Sequence, residues 1–193
     1  MNRTLPGTRG GARQQLILTA FHHCIIEKGY AKTTLRDVAR GAGMTASHLL
    51  YYFPGKDTIL EHYFENVSQT IVERLESFSS ESPQYQVDLL SDLFFSGKGI
   101  TRSEIGFMLE CFGVAVHDQQ LRDHKKKLDL YCKAYLTELF RQSPCGQEKA
   151  EDSAEIGYSM LIGLRTAAFF DSRLKLSRAR RLFHNELSNL AGL

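Results

Sequence analysis

The stretch TTLRDVARGAGMTASHLLYYFPGK, residues 33–56, constrains the fold more than any other part of the chain. It places a small residue at Ala39, a glycine four later at Gly43 and an aliphatic six after that at Leu49. Each type answers a steric need. A small side chain lets two helices cross closely. Glycine reaches the left-handed backbone that a sharp turn demands. The aliphatic residue closes the core beneath the second helix. This is the spacing of a helix-turn-helix, a unit that lays its second helix in the major groove of DNA.

The flanking residues bound two short helices. Thr34 followed three residues later by Asp37 reads as a capping box opening the first. Thr45 caps the second, which ends at Phe53 because Pro54 disfavours a helical residue before it. The remaining chain reads as helix throughout, about nine helices and no strands, hence an all-α fold. A first helix covers about 10–28 and ends at Gly29. A fourth starts near Lys56 and keeps apolar spacing to about 78. Others cover about 85–96, from the Thr101/Glu104 capping box to about 116, from an Asp118 cap to about 142, about 148–171 and about 175–190. Residues 1–8 read as a disordered tail, 9–56 as a DNA-binding domain and 57–193 as a second helical domain.

Charge supports the same division. The formal net charge is only +2. Residues 1–56 nevertheless hold eight Lys/Arg (Arg3, Arg9, Arg13, Lys28, Lys32, Arg36, Arg40, Lys56) against two acids (Glu27, Asp37), whereas residues 57–193 hold sixteen against twenty. A basic end on an acidic body is the electrostatic footprint of a DNA-facing surface. With 42% hydrophobic and 24% charged residues the chain can build a core and stay soluble. Four scattered cysteines with no CxxC pair argue for a reducing compartment rather than a disulfide framework. MNRTLPGTRGGARQQ lacks the apolar run of a signal peptide, and no stretch nears the roughly 18 apolar residues of a membrane span. These features predict a cytoplasmic protein without membrane contact.

The N-terminal third resembles the TetR family of bacterial transcription regulators. The residues that carry the resemblance are Gly29-Tyr30, Thr33-Thr34, Val38-Ala39, Ala42-Gly43-Met44-Thr45, Leu49-Leu50, Tyr52-Phe53 and Lys56, over about residues 13–60 without a gap. The resemblance implies a dimeric repressor that binds a near-palindromic double-stranded DNA operator and is released by a mostly apolar small-molecule effector. Under it, Ala46, Ser47 and His48 lie nearest the base edges, and Arg36 reaches a base or the backbone. Thr34, Thr45, Tyr52 and Lys56 meet phosphates, which set register without reading sequence. Arg9 and Arg13 could add backbone or minor-groove contacts. The family usually has a phosphate-binding tyrosine where this chain has Leu50, and neighbouring Tyr51 is the candidate to take over part of that role. Ser47 replaces a common glycine.

The body matches the family only in layout. Its recurring aromatics and neighbours (Tyr63, Phe64, Val67, Phe94, Phe107, Met108, Cys111, Phe112, Tyr131, Tyr135 and Phe169) are expected to line an effector pocket between helices four and seven. Core packing is the alternative for each. Small residues on helix eight, with apolar residues on helices eight and nine, are expected to form a four-helix dimer interface through Gly157, Leu161, Leu164, Ala168, Phe183 and Leu187, against the alternative of burial within one subunit.

Other constellations carry less. Glu110, His117 and His124 recur every seven residues, but Gly113 and the break near Asp118 spoil a common metal-binding face. Gly97-Lys98-Gly99 lacks the rest of a phosphate loop, and no Gly-x-Ser-x-Gly elbow occurs. No catalytic residue, metal or cofactor is implied. Two other functions stay open: an effector-independent architectural or cell-division factor on DNA, and a small-molecule enzyme or carrier on the same scaffold.

Overall fold

The computed structural model describes residues 9–96, 102–144 and 146–193. Residues 1–8, the Thr101 cap, Gly97-Lys98-Gly99, Cys145 and the Arg9 side chain lie outside the described residues. Within them the chain forms nine α-helices and one 3-10 turn, with no strand. The helices are α1 (Arg9–Lys28), α2 (Leu35–Gly41), α3 (Ala46–Tyr52), α4 (Lys56–Phe78), α5 (Pro83–Phe95), α6 (Arg102–Ala115), α7 (Gln119–Arg141), α8 (Ala150–Phe170) and α9 (Leu176–Ala191).

Local chemistry explains most of the ends. Gly29, at φ 82°, stops α1. Thr34 and Asp37 form the predicted capping box on α2. Thr45 and Asp118 accept from backbone N–H groups at the starts of α3 and α7. α5 begins two residues earlier than the apolar pattern suggests. Ser82 caps it and Pro83 takes its first position, where a missing N–H costs nothing.

The buried apolar side chains of the described residues gather into two cores. The first joins α1, α2 and α3 through Ile17, Phe21, Val38, Ala39, Leu49 and Phe53, and is completed by Ile59, Leu60 and Phe64 of α4 and by Phe107, Cys111 and Ala115 of α6. It therefore runs across residue 56. The second gathers α4, α5, α7, α8 and α9 around Leu75, Leu90, Phe140, Tyr158, Leu161, Phe183 and Leu187. Here α8 packs on both α7 and α9. Gly157 makes the close approach possible, since a Cβ there would lie 3.0 Å from Leu187 Cδ1.

Candidate nucleic-acid interface and effector cleft

The turn between α2 and α3 is built as its sequence predicts. Gly43 sits at φ 66°, and Met44 N–H donates to the Ala39 carbonyl at 2.9 Å. Ala39 and Leu49 are buried where the helices cross. Leu49 anchors α3 by one face, so the opposite face is turned outward. Thr45, Ser47, His48, Leu50 and Tyr51 are exposed, Ala46 and Tyr52 are half-buried, and Tyr51 is 83% exposed. Tyr52 leans on His48, ring centroids 5.4 Å apart, and Tyr51 meets it edge-on at 5.3 Å. The outward surface thus combines hydroxyls, an imidazole and two phenols.

Cations frame this surface. Arg13, Lys32, Arg36 and Arg40 are exposed. Asp37 is not a free anion on it. Its carboxylate accepts from the Thr34 backbone and hydroxyl and pairs with Lys28 at 2.6 Å. The Lys28 and Thr34 hydrogen bonds hold its carboxyl well below the usual carboxylate range. Thr34 is exposed at the helix start but already spends its hydroxyl on the cap.

Lys56 does more within the chain than its sequence position suggests. Its Nζ donates to the Tyr30 carbonyl at 2.8 Å and stands 4.1 Å from the Tyr30 ring centroid. Tyr30 is a hub. Its phenol donates to Asp57 at the start of α4, and its backbone N–H donates to Glu110 of α6. Burial, then the Asp57 hydrogen bond, pushes its phenol pKa far above the ordinary tyrosine value. A second tie joins the same helices: His22 Nε2 of α1 lies 2.9 Å from Glu104 Oε2 of α6. Sequence reading missed both ties, because their partners lie about eighty residues apart. The Gly29-Tyr30 pair was its one visible sign.

Between the two cores lies a cleft of about 660 Å³, within the usual range for small-molecule sites. It is lined by α1 (Gln15, Leu18), α4 (Tyr63 to Glu73), α5 (Leu93, Phe94), α6 (Glu104, Phe107, Met108) and α8 (Arg165). Five of the expected pocket residues line it: Tyr63, Val67, Phe94, Phe107 and Met108. Tyr63 packs edge-on to Phe107 at 4.7 Å and stacks on His22 at 5.4 Å. Burial raises its phenol pKa, so the group is neutral.

The other six expected pocket residues are placed elsewhere. Phe64 and Cys111 are buried in the first core, and Phe112 packs against it beneath the Lys125 ammonium. Tyr131 donates its hydroxyl to Glu76 and Tyr135 to Gln86. Tyr135 borders a void of about 10 Å³ in the second core, scarcely room for one water. Phe169 fills the space over Gly106, where a Cβ would lie 2.6 Å from its ring. α7 supplies none of the cleft's lining residues, so the boundary is α1, α4, α5, α6 and α8 rather than helices four to seven.

The residues expected at a dimer interface are placed as follows. Gly157, Leu161, Ala168, Phe183 and Leu187 are buried inside one protomer, and Leu164 is partly buried against the same core. Gly157 there admits Leu187 of α9. The apolar groups that α8 and α9 turn outward are Ile156, Phe170 and Leu182.

An outward-facing helix-turn-helix on a body holding a mostly apolar cleft is the arrangement of a ligand-responsive DNA-binding regulator. Comparison with known proteins agrees. Residues 17–63 match the model for bacterial regulatory proteins of the tetR family, and residues 83–192 match the model for the C-terminal region of BetI-type transcriptional repressors. The chain belongs to the tetR family of DNA-binding transcriptional regulators, with a C-terminal region of the BetI type.

It is 26% identical over 183 residues to the HTH-type transcriptional regulator BetI 2 of Chromohalobacter salexigens, covering 92% of this chain and 88% of that protein. It is 24% identical over 177 residues to BetI 1 of the same organism, covering 90% and 87%. Among solved structures, a TetR transcription regulator from Haloarcula marismortui superposes with a TM-score of 0.81 at 18% identity, covering 94% of this chain and 97% of that one. A transcriptional regulator from Saccharomonospora viridis, solved in complex with choline, gives 0.80 at 18% identity, covering 92% and 96%.

Proposed function

We propose that this regulator is a homodimeric repressor that leaves a near-palindromic operator when a small, mostly apolar molecule enters the cleft. One observation carries the reading: two of the helices that line the cleft, α4 and α6, also hold the DNA-binding module. α4 presents Tyr63 and Val67 to the cleft and begins at Lys56, which is bonded to Tyr30. α6 presents Phe107 and Met108 and reaches the module through Glu104–His22 and Glu110–Tyr30. A ligand that shifts either helix moves both α3 helices of a dimer. Those helices must stand about 34–36 Å apart to meet successive major grooves. A coupling of about 1–3 kcal/mol suffices for such a switch.

On the DNA, Ala46, Ser47 and His48 read base edges, and Arg36 reaches a base or a phosphate. Thr34, Thr45 and Tyr52 meet phosphates. Tyr51, more exposed than Tyr52, stands in for the tyrosine that Leu50 replaces. Lys56 has two donor hydrogens left after its bond to Tyr30 and can add a phosphate contact. The outward apolar groups of α8 and α9 form the dimer seam, and the regulator acts in the cytoplasm.

DNA selected by this protein should be titrated across a salt series with Arg36→Ala and His48→Ala. A lost phosphate contact weakens binding to all sequences and lowers the salt slope by about one, whereas a lost base contact relaxes sequence preference. Unchanged affinity and preference in both variants would remove α2 and α3 from the interface.

A further inference from the structure

Among the described residues, the cleft is lined by one cation, and it makes no hydrogen bond or ion pair within the chain. Arg165 enters it from α8. Its guanidinium lies 5.9 Å from the Phe94 ring centroid, and among the described residues it has no hydrogen bond and no acid within salt-bridge distance. Burial lowers its pKa from the ordinary guanidinium value, partly offset by Tyr158 and Glu104. The group nevertheless stays charged, as arginine does in proteins. The acids of the cleft are occupied. Glu104 pairs with His22 at 2.9 Å, and Glu73, exposed at the rim, accepts from Gln69 at 3.0 Å. A half-buried fork of N–H donors beside a mostly apolar space favours a partner that is bidentate and anionic.

We propose that the cleft binds an amphipathic carboxylate, its acid head on Arg165 and its hydrocarbon body against Leu18, Val67, Phe107 and Met108. This rests on the reading that the cleft is the effector site and adds the charge of the effector. A free quaternary ammonium, the chemistry of choline, lacks an acceptor for the arginine and meets like charge.

Three probes of matched length separate the possibilities: octanoate, 1-octanol and octyltrimethylammonium, titrated calorimetrically into the full-length protein. Octanoate should bind about tenfold or more tighter than octanol, the worth of a charge-assisted contact, and octyltrimethylammonium weakest. Arg165→Gln should reduce octanoate to the affinity of octanol and leave octanol unchanged. Arg165→Lys should keep the order of the three. Met108→Trp, which fills the cleft, should abolish octanoate and octanol binding together.

Equal binding of octanoate and octanol to the unaltered protein, or tightest binding of the ammonium, would overturn the carboxylate proposal while leaving the cleft as the site, provided Met108→Trp abolishes it. Octanoate binding that survives Met108→Trp would place the acid elsewhere and overturn the proposal. Failure of all three probes to bind would overturn the cleft reading itself.

Discussion

The DNA-facing end and the cleft are built on opposite plans. Every determinant of the α2–α3 turn lies within residues 33–56: the Thr34–Asp37 box, Gly43 at positive φ, and the buried Ala39 and Leu49. The cleft draws on five helices, from Gln15 to Arg165. The first is fixed by neighbours in sequence, the second only by how the bundle packs. The two plans meet in a shared core that crosses residue 56, where Phe64 of α4 and Phe107 of α6 lie under the DNA module.

Phe64→Ala should have the largest effect on the shared core. Phe64 is 1% exposed, and removing a buried phenylalanine costs about 3–5 kcal/mol. If the core is shared, urea titration shows that loss, and amide exchange at Val38 and Leu49 quickens with it. If the module is autonomous, those amides keep their protection.

A smaller effect contrasts two glycines, one from each region. Neither would bring a Cβ into contact, so only backbone conformation differs. Gly43→Ala must hold φ near 66° and should destabilise by about 1–2 kcal/mol. Gly113→Ala, on the exposed side of α6, should stabilise by about 0.5–1 kcal/mol. Thermal denaturation of the two variants reads opposite signs. The same sign for both would refute the turn geometry.

The smallest effect is electrostatic. The folded-state pKa of Asp37 is depressed, first by Lys28 and then by Thr34. A depressed carboxylate stabilises above its unfolded value, about 3.9, and loses that contribution as pH falls through the folded value. Asp37→Asn should therefore lower the melting temperature at pH 7, and the gap to the unaltered protein should narrow below about pH 4. A gap independent of pH would assign the effect to the cap alone.

These regions also differ in how far the sequence discloses them. The turn was fully legible because its causes are contiguous. Aromatic content did not separate cleft from core, because Tyr63, Tyr131 and Tyr135 carry the same chemistry and differ only in whether a partner such as Glu76 or Gln86 already takes the hydroxyl. Gly157 correctly marked a close helix approach, but a small residue does not say which helix approaches, and α9 of the same chain does. Arg165 was the missed signal. A single charge inside the run Leu161–Ile162–Gly163–Leu164–Arg165–Thr166–Ala167–Ala168 is visible without a structure and points to a place where that charge has work to do.

The most direct test of the central claim is selection from random-sequence DNA with the purified protein, followed by a footprint on the selected site with and without octanoate. Selection should enrich a near-palindrome with half-sites separated by one helical turn or a multiple of it, Ser47→Ala and His48→Ala should alter the preference, and the footprint should fade as octanoate is added. No enriched sequence, or an enriched sequence indifferent to both α3 substitutions, would contradict that claim.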